Sequence, residues 1–161
     1  MNSEIKFMKS EFFKESGNET FSHIKELIES LTPAAEVIHI GGGSIPGALT
    51  KGDVDIQIRI DRTQFEEVVK SFGQVFQINN TELWSEDLAI FKSIYLQMKV
   101  DILVTVVGSR SDNCHKFKKL LLTREDILEE YNQMKASFQN QEMQDYKVAK
   151  AKFYQRLESL L

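Results

Sequence analysis

The chain has 161 residues, enough for one domain spanning residues 1–161 with a core of its own, and 42% hydrophobic against 27% charged residues is the balance of a globular protein. A net charge of -4 argues against a long nucleic acid gripped through its phosphates alone, and the single cysteine, Cys114, excludes an intramolecular disulfide and a clustered thiolate metal site. A reducing, cytoplasmic setting is expected, because residues 1–17 lack the apolar core of a signal peptide and nowhere do about 18 apolar residues run together to cross a membrane.

Phe21, Ile24, Leu27, Ile28 and Leu31 recur at three- and four-residue steps, which predicts an amphipathic helix over residues 19–31 ending near Pro33. Residues 36–40 form a short β-prone run, and residues 41–52 follow as a long loop with five glycines and a proline. Val54, Ile56, Ile58 and Ile60 alternate with Asp53, Asp55, Gln57 and Arg59, the period-two signature of a strand with one buried face and the carboxylates on the other. A helix is expected over residues 63–72, capped by Thr63 with Glu66 in its first turn and stopped by Gly73. β-branched and aromatic residues predict strands within 75–78, 88–93 and 95–107, with Asp101 inside the last. Residues 111–122, 123–137 and 142–161 carry helical spacing, so the C-terminal third is expected to be helical and to pack on the sheet; the 123–137 face also suits a dimer contact, and the oligomeric state stays open.

The informative segment runs from Ile38 to Ile56, where two acids open a strand directly after a glycine-rich turn. Gly41, Gly42 and Gly43 let backbone N–H groups approach phosphate oxygens, and Ser44 adds a hydroxyl donor to the same concavity. Asp53 and Asp55, two residues apart on a strand, share a face with Cα atoms about 6.5 Å apart and suit a pair of magnesium ions, which prefer carboxylates, waters and substrate phosphates. Asp101 is the expected third ligand, since an unpaired charge in an otherwise apolar strand costs several kcal/mol. Lys51 is a secondary phosphate contact. A dinucleotide fingerprint is excluded because Pro46 stands where the third glycine is required, and a Walker loop because Asp53 and Val54 stand where lysine and Ser/Thr are required.

A glycine pair, about ten residues, then Asp53-Val54-Asp55-Ile56 resembles the signature of the polymerase-β-like nucleotidyltransferase superfamily. Ile38-His39-Ile40-Gly41, Ile45-Pro46-Gly47, Lys51, the run from Glu130 to Lys135 and that from Tyr146 to Lys152 narrow the resemblance to the GrpB-like family across nearly the whole chain. That resemblance implies an α+β fold, a nucleotidyltransferase-like small mixed β-sheet flanked by helices, and magnesium-dependent transfer of a nucleotidyl group from an NTP to a hydroxyl or amine acceptor. It places two ions on Asp53, Asp55 and Asp101 and the phosphates on the loop from Gly41 to Ser44. Members of the group often show Gly-Ser at the first loop positions and one acid at the strand; this chain has Gly41-Gly42-Gly43-Ser44 and both acids, which favours retained metal binding.

The acceptor is expected to be a small molecule or a protein before a long nucleic acid. Two rival readings are a catalytically silent nucleotide- or protein-binding module on the same fold, and an interaction protein whose acids are surface features. His39 reads as a structural residue, Arg110, Lys116, Lys118 and Lys119 as a charged helix face, Trp84 and Phe91 as core or its edge, and Cys114 carries no mark of a nucleophile.

Overall fold

The computed structural model describes residues 4–161. In chain order the elements are β1 (Met8–Lys9), α1 (Lys14–Leu31), β2 (Glu36–Ile40), β3 (Leu49–Thr50), β4 (Val54–Ile60), α2 (Phe65–Phe72), β5 (Gln77–Ile78), β6 (Leu88–Tyr95), β7 (Met98–Val106), α3 (Cys114–Thr123), α4 (Glu125–Ser137) and α5 (Met143–Leu157). Five strands form one mixed sheet in the order β2-β4-β7-β6-β5, in which β4 and β7 run parallel and the other pairs antiparallel. β1 and β3 form a separate two-stranded ribbon. The α+β architecture is thus a small mixed sheet flanked by helices with a helical C-terminal third.

The sheet's first face carries the main core. Val54, Ile56, Ile58 and Ile60 of β4 and Val100, Ile102, Val104 and Val106 of β7 are buried against Ile24 and Ile28 of α1 and Val68 and Phe72 of α2. Phe91 is fully buried in the same cluster and Trp84 packs at its edge, its indole N–H donating to the Asn79 carbonyl at 2.9 Å. A second cluster joins Ile45 and Ala48 of the glycine-rich loop to Phe117, Leu121, Tyr131 and Phe153 of the C-terminal helices.

The face that bears the carboxylates is partly covered. Gln57 and Thr105 are each 0% exposed and Asp112 is 3% exposed. The Gln57 amide donates to Thr105 Oγ1 at 3.0 Å and to Asp112 Oδ1 at 3.1 Å, while Arg59 donates to both Asp112 oxygens at 2.7 Å. Alternation of polar residues therefore marks a second packed layer, made tolerable because each buried polar group is answered by another.

Other boundaries moved for local reasons. α1 begins at Lys14, five residues before the expected start at residue 19, because its opening turns are polar and give no periodicity to read. Thr63 lies in a 3-10 turn over Arg62–Gln64 and makes no capping hydrogen bond. Tyr95 ends β6 instead of opening the next strand: Leu96 and Gln97 form the turn at φ 50° and 64°, a left-handed pair with none of the Asn or Gly that signals such a hairpin.

His39 on β2 stacks on Phe21 with ring centroids 4.9 Å apart, and its Nε2 is buried without a hydrogen-bond partner. Burial, assisted by the Lys118 charge, lowers its pKa from 6.5 to about 4. Unfolding lets the ring take a proton between those values, so stability is complete above pH 6.5 and falls as pH drops toward 4. A loss of about 2–3 kcal/mol across that window is expected, and His39→Phe should flatten it in urea titrations at pH 7 and pH 4.5. An unchanged slope in the variant would show that another group sets the pH dependence.

Candidate active site

The register of the parallel pair brings two of the expected acids together. Asp55, second in β4, lies directly opposite Asp101 in β7, so the two carboxylates stand on adjacent strands and the same face. Asp53 precedes the strand and forms an ion pair with Lys51 at 3.3 Å. Lys51 is thereby engaged with the acid beside it, and its ammonium also lies 3.8 Å from Met143 Sδ.

The electrostatics are those of crowded acids. Burial pushes the Asp55 carboxyl above its usual range; Lys150 opposes the rise, and the charges of Asp101 and Asp53 add to it. Asp101 is raised by burial and by Asp53, against Lys51 and Lys150, and accepts a long hydrogen bond of 3.4 Å from Asn79. Among the described residues no group of three or more His, Cys, Asp or Glu side chains is gathered closely enough to hold a metal ion. The donor chemistry nevertheless fits magnesium: the groups are carboxylate oxygens, and their unfavourable crowding is what a divalent cation would relieve.

The glycine-rich loop is built around Asp55. Gly41 has φ 74° and ψ 178°, and a Cβ there would sit 2.3 Å from Asp55 Oδ2, so the loop backbone lies against the carboxylate. Gly42–Ser44 forms one 3-10 turn, closed by the Ser44 N–H and hydroxyl both donating to the Gly41 carbonyl at 3.0 and 2.8 Å. The hydroxyl expected to reach a phosphate is here committed to the loop itself.

Helix α4 holds the far side of the loop. Asn132 accepts from the Leu49 N–H at 2.8 Å and donates to the Gly47 carbonyl at 2.9 Å, and the Lys135 ammonium donates to the Leu49 carbonyl at 2.7 Å. Lys135 is 4% exposed and lies 4.1 Å from the Tyr131 ring centre; burial, with the Lys150 charge, holds its pKa well below the ordinary lysine value. Lys150 of α5 faces Asp55 and Asp101, and the neighbouring Tyr154 and Tyr146 with those two acids raise its pKa although burial opposes them.

A cavity of about 440 Å³ opens between the sheet and the C-terminal helices, lined by Gly41, Asp55, Asp101, Lys118, Lys150 and Tyr154 among others. Cys114 also lines it, with burial pushing the thiol up to about 11, which leaves it protonated and unreactive near neutral pH. Of the basic run, Lys118 turns inward and donates to the His39 carbonyl at 2.7 Å, whereas Arg110, Lys116 and Lys119 are exposed as a charged surface should be.

Lys135, Lys150, Tyr131, Tyr146 and Tyr154 were not assigned to the site from the sequence. Their signal lay in residues 130–135 and 146–152, which carried the family resemblance, and in the Tyr146–Lys150–Tyr154 spacing of one helix face.

The model of the family described as "GrpB protein" matches residues 13–159. The UPF0157 protein VC_A0354 of Vibrio cholerae is 26% identical over 156 residues, covering 95% of this chain and 81% of that protein. Among solved structures, the conserved protein GrpB from Enterococcus faecalis superposes with a TM-score of 0.62 at 13% identity over 76% of this chain and 77% of that one, a likeness of fold. The Cid1 poly(U) polymerase bound to MgGTP scores 0.48 at 15% identity over 74% of this chain and 44% of Cid1, a likeness too small to carry an argument. With a family match reaching across residues 13–159, the chain belongs to the GrpB family.

Proposed function

We propose that the chain transfers a nucleotidyl group from a nucleoside triphosphate to a hydroxyl or amine acceptor, with magnesium held by Asp53, Asp55 and Asp101. The observation that carries this reading is the pairing of Asp55 with Asp101 on adjacent parallel strands, with the Gly41 backbone seated on Asp55. Magnesium, when bound, would neutralise the crowded carboxylates and the triphosphate. The glycine loop and Lys150 would orient the phosphates in the 440 Å³ cavity, and Asp101 would take the proton of the acceptor as pyrophosphate leaves. Residence in the cytoplasm belongs to the same reading.

One observation favours a silent nucleotide-binding module instead. Each acid already faces a lysine, Asp53 through its ion pair with Lys51 and the other two through the Lys150 charge. Calorimetric titration of ATP, GTP, CTP and UTP, with and without magnesium, into the wild type and an Asp53→Ala/Asp55→Ala variant separates the cases. Magnesium-dependent binding that disappears in the variant is expected. Binding that ignores both magnesium and the substitutions would support the silent module, and no binding at all would remove the nucleotide from the account.

A further inference from the structure

A row of residues crosses the sheet on the face that bears the acids. Ile40 lies opposite Asp55, Asp55 opposite Asp101, Asp101 opposite Lys92, and Lys92 opposite Gln77. Alternation along the strands adds Lys99, two residues before Asp101, and Ile94, two residues after Lys92, to the same face. Ile94 lies directly opposite Lys99 and is 71% exposed.

Of these, Gln77, Lys92, Ile94 and Lys99 line an open groove of about 530 Å³ that is also bordered by Val75, Phe76 and Asn79 and reaches Asp101. Asp101 therefore lines two spaces. The cavity holding Gly41, Asp55 and Lys150 lies on one side of it, and the groove holding Lys92 and Lys99 on the other, with Asn80 lining the first and Asn79 the second. Lys92 and Lys99 are both exposed, and neither joins an ion pair among the described residues. Two unpaired ammonium groups in the same groove as Asp101, the carboxylate that the transfer reading makes the base, are arranged for an anion held next to a reacting hydroxyl.

We propose that this groove is the acceptor site, and that it takes a small alcohol bearing a phosphate or carboxylate close to its hydroxyl. The inference rests on the transfer reading above. Lys92 and Lys99 bind the anionic group, Ile94 and Val75 cover the carbon chain, and the hydroxyl reaches Asp101 at the inner end. The hydroxyl oxygen then attacks the α-phosphorus of the triphosphate held in the adjoining cavity. A new P–O bond forms, the bond to pyrophosphate breaks with its electron pair leaving on pyrophosphate, and the hydroxyl proton passes to Asp101.

The test uses paired probes that differ in charge: glycerol 3-phosphate against glycerol, and glycerate against ethylene glycol, the two anions separating phosphate from carboxylate recognition. Each is titrated into isotope-labelled protein while backbone amide shifts are followed. The anionic member should move the amides of Lys92, Ile94 and Lys99 and bind at least about tenfold more tightly than its neutral partner. A Lys92→Ser/Lys99→Ser variant should lose that preference while its magnesium-dependent nucleotide affinity stays at the wild-type value. Equal response to charged and neutral probes, shifts that persist in the variant, or shifts elsewhere in the molecule would overturn the assignment. Nucleotide binding without any groove response defeats this inference alone; a groove response in a protein that binds no nucleotide defeats it together with the transfer reading.

Discussion

Replacing Asp112 with alanine is expected to cost about 3–5 kcal/mol of stability, the range for breaking a buried ion pair by removing one partner. The carboxylate is 3% exposed and accepts at least four hydrogen bonds: two from Arg59 at 2.7 Å, one from Gln57 at 3.1 Å and one from the Gly108 N–H at 2.9 Å. Truncation strands the Gly108 amide and the Arg59 guanidinium. Two facts place the loss in the lower half of the range: the Arg59 side chain is 19% exposed and keeps its bond to Glu36, and Gln57 keeps Thr105. Urea midpoints should fall with an unchanged m-value. The same residue gives a pH signature. Burial pulls the Asp112 carboxyl upward, but the hydrogen bonds from Arg59 and Gly108 and the guanidinium charge outweigh it and hold the group below its ordinary value of 3.8. Its contribution is therefore complete above pH 3.8 and is lost as pH falls through the lower folded value. A cost below about 1 kcal/mol would mean that the network is solvated in solution and does not hold α3 to the sheet.

That network also marks where the sequence stopped being readable. Period-two alternation placed Val54, Ile56, Ile58 and Ile60 in the core correctly, since nothing but burial makes a strand repeat in that way. It gave no means of telling a polar face that meets water from one that meets other polar groups. Apart from Glu36, 23 positions from Arg59, the partners of Gln57 and Arg59 lie 48 to 58 positions away along the chain, at Thr105, Asp112 and His115. The site divides along the same line. The glycine loop, Asp53 and Asp55 are neighbours in sequence and were legible as a motif. The cost of an unpaired charge in an apolar strand points to Asp101, and the β4–β7 register sets it beside Asp55. Lys135 and Lys150 reach the site only because α4 and α5 fold back over the loop, and a lysine on an amphipathic helix ordinarily signals a solvated face.

Gly41→Ala is expected to fold and yet lose the site. At φ 74° and ψ 178° the residue occupies backbone space that is nearly restricted to glycine, which costs a side-chain-bearing residue about 1–3 kcal/mol. That alone would leave a folded protein. The sharper effect is steric: the added methyl would lie 2.3 Å from Asp55 Oδ2 and 3.0 Å from its Cγ, so the carboxylate has to swing away from the loop. Asp55 is the acid that the register pairs with Asp101, and displacing it by even 1 Å is enough to cost about 10²-fold in a reaction that depends on placement. Gly43→Ala is the matched control, because its methyl meets the Asp53 carbonyl at 3.1 Å, a contact that a few tenths of an ångström relieve, and touches no carboxylate. Calorimetry on both variants beside thermal melts separates the two effects. Gly41→Ala should lose magnesium-dependent nucleotide binding while still melting cooperatively, and Gly43→Ala should keep most of it. Equal binding by the two variants would show that the contact between the loop backbone and Asp55 has no part in holding the nucleotide, and the phosphate-loop role would then pass to the lysines of α4 and α5.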